Sequence, residues 1–168
     1  MPSITIKDNI LAPKNKLVMR YKGEDPFSIA RMLNSYLKDL LKVSSSKIYE
    51  DDVRWDKTGE PRPFFGMWRV RGGEDLKDNW SQVWFAINYQ GEQPIKQGQQ
   101  GELRIEIKGF LQTKIPYHNF LQKAAWWVYF KIFYNEQRRE YLDRAKDYTL
   151  RMKEAFQREL GIIPEGYE

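Results

Sequence analysis

Few residues of this chain have the type and spacing that catalysis or metal binding requires. Two pairs of adjacent acids, Asp51-Asp52 and Glu74-Asp75, come closest to a carboxylate pair for acid–base work. Neighbouring strand residues point to opposite faces and acids are common in turns, so we interpret both pairs as surface acids. His118 is the single histidine. It could act as a general base at a pocket mouth, but a hydrogen-bonded structural role is the commoner one.

The residues that are absent exclude several kinds of site. The chain has no cysteine, which rules out disulfides, thiolate metal ligands and a thiol nucleophile. It also contains no glycine-rich phosphate loop, no HExxH, no GxSxG and no calcium loop. The sequence therefore assigns no catalytic residue, no metal ion and no cofactor, and it names no enzymatic reaction.

Basic residues leave an interaction surface open as a hypothesis. The net charge is +5 and the isoelectric point is near 9.3, which permits contact with nucleic acid or an anionic membrane. The charges are evenly mixed along the chain, as on an ordinary solvated surface. Arg69 and Arg71 belong to one copy of an Arg-Gly-Gly element, and strand alternation places them outward, opposite Glu102 or Glu106 of another strand.

The amino-terminal third predicts an extended segment followed by a helix. Ile4 to Lys22 favours a strand, or a short hairpin broken at Pro13. Asp25-Pro26 then supplies a capping side chain and a proline for the first helical position. Apolar residues recur at three-to-four spacing from Phe27 to Leu41, which predicts an amphipathic helix that ends near Lys42.

The middle of the chain predicts an antiparallel sheet. Four segments, 48–56, 64–71, 83–89 and 102–111, alternate apolar and polar residues. Such alternation indicates one buried and one solvated face, whereas parallel strands are apolar throughout. The last segment predicts that Leu103, Ile105 and Ile107 are buried and that Arg104, Glu106 and Lys108 are exposed. Gly66 and Gly109 fall inside strands, where glycine marks a bulge or bend.

The carboxy-terminal part, from about His118 to Leu160, has helical periodicity. A straight helix of that length would span roughly 60 Å, so we expect a break near residues 135–140 or a projecting second half. Residues 120–134 are apolar almost all round and predict the central core helix. The second half has a narrow stripe from Tyr141 to Ala155, which could lie along the sheet or form a short coiled-coil seam between two copies.

The order strand, helix, antiparallel meander and long carboxy-terminal helix resembles that of the helix-grip proteins, the START and Bet v1-like superfamily. The resemblance covers nearly the whole chain and implies a sheet wrapped around the long helix. It also implies an apolar cavity between them, which members use for lipids, sterols and polyketides. We expect one α+β domain over residues 1–168, with about five or six antiparallel strands packed against one amino-terminal helix and the long carboxy-terminal helix.

Six Trp, ten Tyr and nine Phe motivate the functional hypothesis, since buried Trp and Tyr need polar partners that a wet pocket mouth provides. We predict a protein that binds a hydrophobic small molecule or lipid between the sheet and the carboxy-terminal helix. The predicted ligand-binding residues are Trp55, Trp68, Phe85, Tyr89, Trp126 and Tyr129. The alternative is an interaction module that binds nucleic acid or a protein partner, or dimerises through the long helix.

The sequence also carries expectations about location. The amino terminus lacks a basic segment followed by an apolar run, and the longest uninterrupted apolar stretch, 124–130, is far short of a membrane span. We therefore expect a cytoplasmic protein that is not transmembrane.

Overall fold

The computed structural model, which describes residues 1–168, is an α+β fold built on one antiparallel sheet of seven strands. The strands are, in chain order, β1 (Ser3–Asn9), β2 (Leu17–Gly23), β3 (Ile48–Trp55), β4 (Arg62–Arg71), β5 (Ser81–Gln93), β6 (Gly101–Pro116) and β7 (Ile163–Tyr167). The helices are α1 (Pro26–Leu41) and a long carboxy-terminal helix made of α2 (Phe120–Tyr129), a π turn (Phe130–Tyr134) and α3 (Asn135–Leu160).

The sheet runs in the order β3-β4-β5-β6, and β6 is long enough to take two partners on its other side. β2 pairs with its first half and β1 with its second half, so the amino-terminal segment is one strand interrupted at residues 10–16 rather than a hairpin. Gly109 lies where β6 changes partner, and Ile10 packs on it and donates its backbone N–H to the Gly109 carbonyl at 3.0 Å. A side chain at position 109 would occupy the space of Ile10.

α1 begins at the predicted residue, and the face that it turns toward the sheet is the predicted apolar one. The Asp25 side chain accepts a hydrogen bond of 3.1 Å from the Ser28 backbone N–H, and Pro26 occupies the first helical turn. Such a cap satisfies one of the free N–H groups at a helix start. Ala30, Leu33 and other residues at helical spacing are buried against the sheet.

The predicted strand parity is confirmed along β6. Leu103, Ile105 and Ile107 are each 0% exposed, and Lys108 is exposed. Arg104 and Glu106 point to the outer face but are partly covered, because they form an ion pair of 3.1 Å with each other. The inner face, with α1 and α3 packed on it, therefore holds the core, and no helix covers the outer face.

The expectation that residues 120–134 form the central core helix is wrong. None of the residues of α2 is buried, whereas α3 buries the stripe that begins at Tyr141 and continues through Ala145, Tyr148 and Met152. The long helix starts only four residues after β6 ends, so its first half extends past the end of the sheet. The second half of the same continuous helix lies along the inner face of the sheet. Its stripe therefore lies on the sheet and on α1.

The helix is not broken at residues 135–140 either. It continues for 41 residues. Its one irregularity is the π turn at 130–134, which immediately precedes the segment where the break was expected. The turn buries Phe130 and Tyr134, while Ile132 and Phe133 between them stay exposed. The seventh strand, β7, was not expected, since Pro164 and Gly166 interrupt it; it pairs only with β2 at the sheet edge.

Candidate functional site

Three of the six predicted ligand-binding residues belong to the main core. Trp68, Phe85 and Tyr89 are 3%, 0% and 5% exposed, on the inner face of β4 and β5. The rings of Trp68 and Tyr89 lie 4.9 Å apart, and the Trp68 Nε1–H donates a weak hydrogen bond of 3.4 Å to Glu50. These side chains fill the space between the sheet and the helices.

The other three residues lie elsewhere. Trp55, on the edge strand β3, is 39% exposed and packs against Phe27 with 4.1 Å between ring centroids. Trp126 and Tyr129 contact Trp80 at the start of β5, with centroid distances of 4.9 and 6.0 Å. The structure thus divides the six residues among the core, the β3 edge and the carboxy-terminal end of α2. Ligand binding by this set stays a prediction.

Two surface clefts lie away from all six residues. The first, of about 620 Å³, is on the outer face and is lined mainly by charged and polar side chains, among them Arg20, Arg54 and Arg104. The second, of about 480 Å³, lies between the β3–β4 and β5–β6 connections. Neither has the apolar lining that a hydrophobic ligand requires.

The candidate acids form ion pairs or support tyrosines. Asp51 pairs with Arg69 at 3.2 Å, and Asp52 pairs with Arg54 at 2.8 Å. Asp75 accepts a hydrogen bond of 2.6 Å from the Tyr148 hydroxyl.

Glu74 bonds to Lys77 at 2.8 Å, and this contact lowers the pKa of the Glu74 carboxyl. No three His, Cys, Asp or Glu side chains come together as a metal site. His118 is exposed, beside the start of α2, and its backbone N–H donates to Gln122.

The most unusual surface lies on α2 and the π turn. Large apolar side chains project into solvent there, and Phe120 and Leu121 are each 78% exposed. We call this set the apolar ridge: Phe120, Leu121, Trp127, Val128, Tyr129, Ile132 and Phe133. Single exposed apolar residues are ordinary, but a contiguous set on one short segment marks an interaction surface.

Helical spacing explains why the ridge faces outward. Trp126, Phe130 and Tyr134 recur every four residues and turn toward the protein, where they pack near Trp80 and Ile115 in a small second core. The ridge residues occupy the remaining sides of the helix. Tyr129 also contacts Trp80, but every ridge side chain is at least 39% exposed.

Charge around the ridge is one-sided. Within residues 120–134 the only charged side chains are Lys123 and Lys131, and Glu136, the first acid after them, lies one turn beyond Phe133. Lys131 is exposed, and helical spacing places it beside Trp127 and Val128. A helical segment whose only charges are two lysines suits an apolar partner that carries negative charge.

Hydrogen bonds at both ends hold the ridge in place. The Asn119 side chain accepts from the Gln122 backbone N–H at 2.8 Å and caps α2. At the other end the Tyr134 hydroxyl donates to Asp78 at 2.6 Å and also contacts Ser81, which lies 2.8 Å from Thr113. Burial, and then the bond to Asp78, raise the pKa of Tyr134. The ridge is therefore displayed on a fixed helix.

The sequence-based prediction included Tyr129, but because it made residues 120–134 a core helix it missed the other six ridge residues as a site. Two signals in the sequence could have found them: the all-round apolar character of 120–134 and the acid-free interval that surrounds it. The structure contains no helix with the length and hydropathy needed to cross a membrane. Comparison of the chain with protein-family models and with curated proteins finds no match.

Proposed function

We propose that this protein binds the surface of an anionic lipid bilayer through the apolar ridge. The observation that carries the proposal is the exposure of seven large apolar side chains on α2 and the π turn, with lysines among them and no acid. Interfacial helices combine apolar and basic side chains in this way and lie in the plane of the headgroups.

The aromatic residues of the ridge support a lipid interface. Trp127 and Tyr129 are 41% and 39% exposed, so each has an apolar body and a polar tip within reach of solvent. Trp and Tyr are enriched at membrane–water boundaries for this reason. The most exposed ridge side chains are those that would enter the acyl region: Phe120, Leu121, Ile132 and Phe133.

Charge argues for lipid and against a second copy of the chain. Two copies that met through the ridge around a two-fold axis would present the same segment to each other. The only charges within residues 120–134 are Lys123 and Lys131, so the two copies would bring like charges together, which is unfavourable. Anionic headgroups remove that cost, since each nearby lysine contributes about 1 kcal/mol to binding.

The size of the ridge fits reversible binding. Burying an exposed apolar side chain contributes up to roughly 1.5–3 kcal/mol, and these chains are partly covered already. Six or seven of them at about 1 kcal/mol each, with two lysines, correspond to an affinity near the micromolar range. Such a protein would associate with and leave a membrane readily.

We also propose a helix-grip arrangement for the fold. The antiparallel sheet and the long carboxy-terminal helix on its inner face support it. A hydrophobic ligand in the interior would have to displace Trp68, Phe85 or Tyr89 from the core, whereas the ridge offers apolar surface without rearrangement. For this reason we place lipid binding on the ridge.

Vesicle sedimentation tests the proposal. We expect the protein to sediment with vesicles that contain phosphatidylserine and less with phosphatidylcholine alone, and we expect salt to weaken binding without abolishing it, because the apolar contribution is not screened. Binding to neither vesicle would overturn the proposal. A stable dimer in lipid-free sedimentation equilibrium, lost on substitution of the ridge, would overturn it in favour of a second copy.

A further inference from the structure

The outer face of the sheet carries a second set of residues that the ridge does not use. Toward the end where β5 begins and β6 ends, aromatic and basic side chains alternate across five strands. We call this set the aromatic–basic face: Tyr49 on β3, Arg69 and Arg71 on β4, Trp84 on β5, Lys108 and Phe110 on β6, and Lys7 on β1. All of them lie opposite the helices.

The strand register places most of these residues in two rows, while Lys7, opposite Gln112, lies 5.3 Å from the Phe110 ring centroid. In one row Tyr49 is opposite Arg69, and in the other Arg71, Trp84 and Phe110 are opposite one another on β4, β5 and β6. The sequence correctly predicted that Arg69 and Arg71 point outward, but their predicted partners on β6 are wrong. β5 lies between β4 and β6, so the arginines meet aromatic rings and not Glu102 or Glu106.

The rings and cations of this face are in contact. The Arg69 guanidinium lies 5.7 Å from the Tyr49 ring centroid and 5.4 Å from that of Trp84. Arg71 lies 6.0 Å from the Trp84 centroid, and the two aromatic rings are 6.1 Å apart. Stacked arginines and rings of this kind present flat π surfaces and positive charge together.

Unpaired positive charge distinguishes this part of the outer face. Lys7, Arg71, Lys108 and the nearby Lys114 form no salt bridge, and Arg69 pairs only with Asp51. At the other end of the same face the cations are neutralised.

At this neutralised end of the outer face, Lys16 pairs with Glu106, Arg20 with Glu165, and Lys22 with Glu102. The free cations therefore cluster around Trp84 and Phe110, where they can meet phosphates.

We infer that the aromatic–basic face binds single-stranded nucleic acid. Tyr49 is 39% exposed, and Trp84 and Phe110 are half-buried, so each ring keeps some surface open to solvent. Bases stack on accessible rings whatever their sequence, and flanking cations neutralise the backbone. A duplex keeps its bases inside and offers no ring to Tyr49 or Trp84. The face also lacks projecting aliphatic side chains, so it differs from the ridge, which suits lipid. This inference is independent of the proposed membrane binding.

Fluorescence anisotropy with labelled oligouridylate and oligothymidylate tests the inference on the full chain. We expect single strands to bind, duplex of equal length to bind less, and rising salt to weaken binding steeply as cation–phosphate contacts are lost. Trp84→Leu should weaken binding about tenfold, because it removes a stacking surface and keeps an apolar side chain. Lys108→Glu, at an exposed position, should do the same without affecting the fold.

Lys22→Glu is the matched control, since Lys22 lies on the same face and is paired with Glu102. It should change affinity less than Lys108→Glu does. The inference is overturned if single strands do not bind, if Lys22→Glu and Lys108→Glu weaken binding equally, or if polyglutamate competes as well as oligouridylate. It is also overturned if Ile132→Ser on the ridge abolishes oligonucleotide binding while Lys108→Glu leaves it intact.

Discussion

The Tyr134 hydroxyl donates a 2.6 Å hydrogen bond to the Asp78 carboxylate, and this contact fixes the point where the long helix leaves the sheet. Asp78 accepts only, so the hydroxyl of Ser81 donates to Tyr134, and that of Thr113 donates to Ser81 at 2.8 Å. Both Ser81 and Thr113 are buried, which makes this chain of hydroxyls costly to interrupt.

Tyr134→Phe should therefore lower the free energy of unfolding by about 1–3 kcal/mol, because it removes the bond to Asp78 and leaves the buried Ser81 hydroxyl without its Tyr134 acceptor. Urea unfolding followed by circular dichroism measures the change. Tyr49→Phe is the control, since Tyr49 is 39% exposed, and it should be nearly neutral. Equal losses in the two variants would show that the bond to Asp78 contributes nothing.

Stability at high pH should depend on Tyr148. Burial, and then the hydrogen bond to Asp75, raise the pKa of Tyr148 to about 12. A tyrosine of the unfolded chain has a pKa of ~10, so the folded protein binds the proton more tightly. The stabilisation is complete below pH ~10 and falls as pH rises toward about 12. Unfolding free energies of wild type and Tyr148→Phe should converge over this interval; a constant difference would contradict the account.

Gly66 makes room for the Tyr89 ring. A Cβ at position 66 would clash with the ring carbon and hydroxyl of Tyr89 on the neighbouring strand. Gly66→Ala should cost about 1–3 kcal/mol of stability, as overpacking does in other cores. Adding Tyr89→Leu should recover part of the loss, as judged by thermal unfolding. Strictly additive losses would show that the two residues do not compete for space.

The sequence-based hypothesis of an internal ligand has its own test in Trp68. Trp68 is 3% exposed, so Trp68→Ala should cost about 3–5 kcal/mol if the residue serves as packing. An apolar fluorescent dye tests the internal site. If the dye binds the wild type, and Trp68→Ala changes the free energy of dye binding more than the free energy of unfolding, the internal site is favoured. Dye binding that responds instead to Ile132→Ser would assign the ligand to the ridge.

The elements that local sequence determines were predictable. Asp25-Pro26 specifies the start of α1, and the alternation around Ile105 specifies which face of β6 is buried, since both depend on neighbouring residues. β7 could not be found this way, because Pro164 and Gly166 favour no strand and only pairing with β2 makes one.

The ridge illustrates a different limit. The apolar residues from Phe120 to Phe133 show that this helix surface needs cover, but not what covers it. That depends on where the helix starts relative to the end of β6, which is a tertiary relationship. Tyr49, Trp84 and Phe110 were missed for a related reason: only the strand order brings them beside Arg69 and Arg71.

The most direct test of membrane binding compares two isoleucines of equal exposure. Ile132 on the ridge is 65% exposed and Ile163 on β7 is 67% exposed. With phosphatidylserine-containing vesicles, Ile132→Ser should weaken sedimentation about fivefold, because one inserting side chain that contributes about 1 kcal/mol is lost. Ile163→Ser should bind like the wild type. Equal binding by wild type and both variants would contradict the assignment of the lipid surface to the ridge.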